Sequence, residues 1–360
     1  MNNAENSSIG KPIHPLVAVA MATYNPRLPA FAGQIESLKA QSYRNWRCVI
    51  SDDCSADETL VEMKKIIRAD NRFELSVAPQ RLGFYYNFER ALSLIPKEAE
   101  YVALADQDDF WYPDKLETLL SNFDDETTLV YSDMRIVNAA GQTISETFWV
   151  QRLNNCTDMA AMLLTNSVTG ASAVFRSSVL ELALPLPGRI GDLHHDHWIA
   201  CVALAAGKLK WVNRPLYDYI QHDQNVTGFG EPVGARPLSL ATFYNDLPKL
   251  KTAEGRQMAR QIYFNQVLKI AGLAQALETR CGKTSVRQKR FAIRRMARLD
   301  ASLLSAIWLT IRGVKRKQST NLTGGAEFHV LPGICWHFLS RLKRWLVTKR
   351  LIASFWKLHL

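Results

Sequence analysis

Residues 101–109 read Tyr-Val-Ala-Leu-Ala-Asp-Gln-Asp-Asp, an apolar run that ends abruptly on carboxylates. The same pattern recurs upstream. Leu16–Ala22 runs into Thr23-Tyr24-Asn25-Pro26, and Trp46–Ser51 into Asp52-Asp53-Cys54-Ser55. Short apolar runs bounded by polar turns predict buried strands, and Phe73–Val77 and Leu129–Tyr131 extend the series. Between them, residues 28–41, 57–68, 84–95 and 113–122 have helical spacing, with Asp57 as an expected N-cap and Pro113 in an expected first turn. This βαβα order predicts an α/β fold: a mostly parallel sheet with helices on both faces. Ligands of such sheets bind beyond the C-terminal strand ends, where this chain places its acids.

No strand is followed by the glycine-rich loops that cradle phosphates with backbone N–H groups. Carboxylates repel a diphosphate unless a hard cation bridges them, and Mg²⁺ is typically held by one or two carboxylates plus substrate phosphates. The strand-end acids therefore predict a metal–nucleotide site. A second group follows the sheet motifs. His194-His195-Asp196-His197-Trp198 opens an apolar helix that reaches Gly207, and a strand over Leu209–Asn213 leads to Tyr219-Ile220-Gln221-His222. A carboxylate at a helix start is favoured in its ionised form, so Asp196 is a candidate to accept a proton. The plain alternative is a capping role. His222, beside Asp223-Gln224-Asn225, is a candidate third metal ligand, while His194, His195 and His197 are read as structural rather than as a zinc cluster.

Taken together, the stretches Val17 to Asn25, Ile50 to Thr59, Gly83 to Glu89, Ala105 to Leu116, Thr169-Gly170, His195 to Trp198 and Tyr219 to His222 with Asn225 resemble the inverting family 2 glycosyltransferases of GT-A fold, within them the bacterial rhamnosyltransferase-like members. The resemblance covers about residues 15–228. It implies that Thr23, Tyr24, Asn25, Asp52, Asp53, Gly83, Asn87 and Asp106 surround a nucleotide sugar. It implies that Asp106 and Asp108 form the D-x-D pair for Mg²⁺ or Mn²⁺, with His222 as a further ligand. Asp196 is implied as catalytic base, and Asp109, Thr169, Gly170, His195 and Trp198 lie in the region of the donor and acceptor sugars. Many relatives carry an acid immediately before the base. Here that residue is His195, which leaves Asp196 without a like-charged neighbour to raise its pKa.

Charge divides the chain. Residues 1–230 hold 20 Lys+Arg against 28 Asp+Glu, a balance of −8; residues 231–360 hold 24 against 6, a balance of +18. The expected organisation is a disordered N-terminus over 1–14, a catalytic domain over 15–230 and a basic helical extension over 231–360. In its last segment Cys335, Phe338, Leu339, Leu342, Trp345, Leu346, Ile352 and Trp356 share one helical face flanked by Lys and Arg. That is a membrane-surface signature, so the expected partners are a nucleotide-diphosphate sugar, a glycan or lipid-linked acceptor and an anionic membrane surface. A nucleic-acid partner is not expected, because no binding motif accompanies the charge. No apolar run reaches the length of a spanning helix, Ile199 to Ala206 being the best. The polar start has no signal-peptide core and the six cysteines form no metal or redox spacing. A cytoplasmic protein at the inner face of the cell membrane is the resulting expectation. The competing function is a non-catalytic, membrane-attached partner in a glycan assembly.

Overall fold

The computed structural model describes residues 14–150, 153–191, 193–221, 239–317 and 322–358. Its chain opens with alternating elements: β1 (Val17–Thr23), α1 (Leu28–Lys39), β2 (Trp46–Asp52), α2 (Asp57–Ile67), β3 (Phe73–Val77), α3 (Phe84–Ser93), β4 (Tyr101–Ala105), β5 (Phe110–Trp111) and α4 (Lys115–Ser121). Beyond these come β6 (Thr127–Asn138), β7 (Thr143–Ser145), α5 (Met159–Leu164), a 3₁₀ turn (Gly170–Ser172), β8 (Ala173–Arg176), α6 (Val179–Ala183), α7 (His195–Ala206) and β9 (Lys208–Gln221).

Among the described residues one sheet runs β3-β2-β1-β4-β8-β6-β9-β5, with β7 paired to β6. Its first half is parallel, as the crossover helices require. Beyond β4 it becomes mixed: β8 runs antiparallel to both β4 and β6, while β9 lies parallel to β6. The expected α/β class with a helical extension is therefore present. Strand β1 is covered on both faces, which is why it reads as a continuous apolar run. On one face α1 contributes Phe31, Ile35 and Leu38, and α2 contributes Leu60 and Met63. The other face is covered by α3, α5 and α7.

Two helix starts differ from expectation. Ala56 is the N-cap of α2 and Asp57 its first residue; there a carboxylate faces the helix dipole without capping a backbone N–H. Asp114 caps α4, so Pro113 stands just before that helix.

The remaining helices are α8 (Leu240–Asp246), α9 (Ala253–Ile262), α10 (Leu268–Cys281), α11 (Arg287–Met296), α12 (Leu303–Lys317), α13 (Ala326–His329) and α14 (Leu331–Leu358). They share one core with α7, through Ile270, Leu273, Leu277, Met296 and Leu309. The best apolar run of the sequence is thus a helix enclosed by others, with Ile199 to Ala205 all buried. No described helix is long and apolar enough to cross a membrane. The six cysteines are free thiols. The start of α14 packs inward through Leu331 and Ile334, whereas Leu339, Leu342 and Trp345 are exposed.

Candidate active site

Strands β2, β1 and β4 are neighbours in parallel register, Thr23 beside Asp52 and Met21 beside Ala105. Their following loops therefore open on one sheet edge. Two residues there hold positive φ without being glycine, Asn25 at 39° and Cys54 at 65°. Such strain persists only where surrounding bonds enforce it, and it clusters at functional sites. The enforcing bonds are visible. Asp52 accepts from Thr23 Oγ1 at 2.9 Å, from Ser55 N at 2.8 Å and from Ser55 Oγ at 2.6 Å. Asn25 N donates to Ser55 Oγ at 2.7 Å, and Ala56 N donates to Asn25 Oδ1 at 3.0 Å.

Asp53 is likewise engaged, accepting from Leu82 N at 2.5 Å and Gly83 N at 2.9 Å. That bond holds the loop in which Gly83 caps α3 at φ 82°, a conformation glycine adopts freely. Asn87 ties α3 to β1 and β2 by donating to the Thr23 and Ser51 carbonyls. Asp52, Asp53 and Asn87 are thus buried and committed to shaping this edge. Tyr24 and Asn25 are exposed; the Tyr24 N–H donates to Gln107 Oε1 at 2.9 Å, linking the β1 loop to the D-x-D loop.

The second cluster follows β4. Asp106 and Asp108 are partly open, while Asp109 is buried with Oδ2 unpartnered among the described residues. Burial first, then the charges of Asp108 and Asp196, push Asp106 up to about 7, against the pull of Lys115. Asp109 is held well above the usual carboxylate range by burial and then by Asp106 and Asp108, opposed by Lys115 and the Ile220 N–H. Lys115 is fully enclosed. Its Nζ donates to the Ala171 carbonyl at 2.5 Å and lies 3.5 Å from the Trp111 ring centroid.

The third cluster is built at the start of α7. The N-cap is His194, so Asp196 is not the cap. Its Oδ1 accepts from His197 N at 2.6 Å and its Oδ2 from Gly170 N at 3.1 Å. These N–H groups favour the ionised form, as does His194, yet burial outweighs them and the carboxyl is shifted upward. Asp196 has no acid beside it in sequence, as expected, and desolvation raises its pKa instead. The Gly170 turn lies against both this helix start and the strand that leads to Asp106, since a Cβ on Gly170 would lie 3.5 Å from Asp196 Cβ and 3.5 Å from Leu104 Cδ1.

Other candidates separate. Trp198 is fully buried and its Nε1 donates to the Ala183 carbonyl at 2.9 Å, so it is a core residue and does not line the sugar region. The three histidines diverge: His197 Nε2 meets the Met162 carbonyl at 2.6 Å, His194 packs on Phe84, and His195 stacks on Phe88 with centroids 3.7 Å apart. Burial lowers His195 to about 3, so its ring is neutral. Thr169 precedes the 3₁₀ turn, and its carbonyl accepts from Ser172 Oγ at 2.6 Å. His222, with Asp223 to Asn225, lies outside the described residues.

Among the described residues no three His, Cys, Asp or Glu side chains converge as a complete metal cage. The donor set is instead an excess of carboxylate, with Asp106 pushed up to about 7 and an orphaned Asp109 oxygen. Such a site suits a hard cation that completes its shell with phosphate oxygens. Three residues had no role in the sequence reading. Lys115 stood within a quoted motif, and Gln107 between the two D-x-D acids. Arg81, with its guanidinium 4.0 Å over the Tyr24 ring, had no signal at all.

Residues 18–181 match the family model described as Glycosyl transferase family 2. It is 28% identical over 124 residues to UDP-Glc:alpha-D-GlcNAc-diphosphoundecaprenol beta-1,3-glucosyltransferase WfgD of Escherichia coli, covering 34% of this chain and 47% of WfgD. It is 32% identical over 107 residues to an uncharacterised glycosyltransferase of Haemophilus influenzae, covering 30% of this chain and 42% of that one. The chain thus spans less than half the length of these curated relatives. Among solved structures it is similar to S. aureus TarS 1-349 in complex with UDP-GlcNAc, with 14% identity, a TM-score of 0.47, and coverage of 91% of this chain and 92% of that one.

Proposed function

We propose that this chain is a divalent-metal-dependent, inverting glycosyltransferase that moves a sugar from a nucleotide-diphosphate donor to a glycan or lipid-linked acceptor in polysaccharide synthesis. The observation that carries the reading is the meeting of two acid clusters. Asp196, held by two backbone N–H donors, shares the Gly170 turn with the strand that leads to Asp106: a Cβ on Gly170 would lie 3.5 Å from both Asp196 Cβ and Leu104 Cδ1. Asp106 and Asp108 would hold Mg²⁺ or Mn²⁺ together with the donor diphosphate. A cation bound there supplies neutralising charge to the departing diphosphate.

The chain's own chemistry rests on Asp196. Its carboxylate takes the proton of an acceptor hydroxyl as that oxygen bonds to the anomeric carbon and the bond to diphosphate breaks on the opposite face. Gly170 N and His197 N aim the carboxylate, and burial raises its pKa, making it a stronger base than an ordinary carboxylate. Rhamnose is the first donor sugar to test, on the motif resemblance. A lipid-linked acceptor is supported by the printed activity of WfgD. The division at about residue 230, the basic balance beyond it and the exposed Leu339, Leu342 and Trp345 support a peripheral position at an inner membrane face.

Asp196→Asn tests the central claim. The amide keeps the shape, takes no proton and accepts from one of the two N–H donors, so turnover falls by about 10²–10⁴-fold with donor affinity preserved. Normal turnover would move the base elsewhere, and joint loss of affinity and turnover would make Asp196 a donor contact.

A further inference from the structure

Over Leu303–Val314, helix α12 turns aliphatic side chains outward as well as inward, which is unusual for a helix at a protein surface. Its inner side packs into the core through Ala306 and Leu309. Gly313 permits a close approach there, since a Cβ would lie 2.9 Å from the Phe328 ring. Arg312 fixes the helix to the domain bearing the acid clusters: its Nη2 meets Asp158 Oδ1 at 2.5 Å with both side chains little exposed. The outer side is a stripe at helical spacing, with Leu304 67%, Ile307 53%, Ile311 49% and Val314 39% exposed, and Leu303 at its head. Phe291 of α11, itself 49% exposed, extends the stripe through an edge contact with Trp308 at 5.9 Å.

Single exposed aliphatic residues mean little, but a contiguous stripe marks an interaction surface. Its frame indicates the occupant. Between Arg287 and Lys317 the sequence holds ten Lys or Arg and one acid, Asp300. Arg287 and Arg298 are exposed at helical spacing from Phe291, Arg294 there pairs with Glu278 at 3.2 Å, and Lys315 is exposed at the end of the stripe. A second copy would set these like charges face to face. A nucleic acid would use the charges but leave the aliphatic stripe in water. An anionic bilayer satisfies both, taking the stripe into the acyl boundary and the cations among the head groups.

We infer that the outer face of α12, with Phe291 and the surrounding cations, is the surface on which this protein sits on an anionic membrane. The choice of lipid rests on the membrane-surface part of the function proposed above, and the principal contact is assigned to α12, with a lesser one at the exposed end of α14. The double variant Ile307→Glu/Ile311→Glu changes only exposed positions. Full-length protein, this variant and Leu339→Glu/Leu342→Glu are sedimented with phosphatidylcholine vesicles, with and without phosphatidylglycerol, at low and raised salt. The unchanged protein should bind the phosphatidylglycerol vesicles and release them as salt rises. The α12 variant should lose affinity by about tenfold or more, with thermal unfolding and nucleotide binding unchanged, and the α14 variant should lose less. Loss confined to the α14 variant would overturn the assignment to α12 while leaving membrane association standing. No binding by the unchanged protein at low salt would overturn both. A dimer in light scattering that the α12 variant dissociates would make a second copy the occupant and also overturn the inference.

Discussion

Replacing Lys115 with Met keeps the side chain's length and removes the positive charge buried beside the strand-end acids. The ammonium is enclosed, donates to the Ala171 carbonyl at 2.5 Å, and lies 3.5 Å from the Trp111 centroid and 4.5 Å from that of Tyr217. Burial holds its pKa well below the ordinary lysine value, while Asp109 and then Asp106 pull it back up. Removing one partner of a buried ionic group costs about 3–5 kcal/mol, and an orphaned carbonyl about 1–3 kcal/mol. The two losses overlap, because the stranded carboxyls can take up protons. A net destabilisation of about 3–5 kcal/mol is therefore expected where they would otherwise be ionised. The pH dependence identifies the cause. Asp106, pushed up to about 7, keeps a proton in the folded state that the unfolded chain gives up above 3.8. Stability from this group therefore falls as pH rises from about 4 to about 7, and falls further without Lys115. Urea unfolding of both proteins at about pH 5.5 and about pH 8 should show the larger penalty at the higher pH. An equal penalty at both, or none, would refute the view that Lys115 compensates these acids.

Asp108→Ala should abolish transfer and divalent-dependent nucleotide binding with the unfolding midpoint retained; full activity in chelator would remove the D-x-D reading. Gly170→Ala places a Cβ 3.2 Å from His195 Nε2 and 3.5 Å from Asp196 Cβ. Turnover should fall about tenfold to a hundredfold through misplacement of the carboxylate, and unchanged turnover would mean that this turn does not aim it. Arg312→Met removes the counter-charge of the little-exposed Asp158 and the buried Glu327 and should cost about 3–5 kcal/mol in urea unfolding. A loss below about 1 kcal/mol would make it equivalent to a surface pair.

The parallel half of the fold was legible because its signals are local. Val17 to Met21 must be apolar throughout when both faces of the strand are covered, and the polar turn that follows marks the ligand edge. The mixed half was not. β8 has four residues, and its antiparallel place between β4 and β6 depends on pairing across the chain rather than on a turn motif. Trp198 shows a related limit: next to Asp196 in sequence, it points into a core completed by helices far downstream.

The candidate site divides along the same line. Identifying Asp106, Asp108 and Asp196 needs only residue type and position after a strand or at a helix start. Their protonation depends on distant elements. Gly170 N reaches Asp196 from 26 residues upstream, Lys115 joins the acids to the Ala171 carbonyl, and desolvation reverses the shift that the helix start alone would give. The absence of an acid before Asp196 therefore does not leave its pKa unraised. In this chain burial does the work that a neighbouring charge could have done, and neutral His195 fits against Phe88 where a second carboxylate would have needed its own counter-charge.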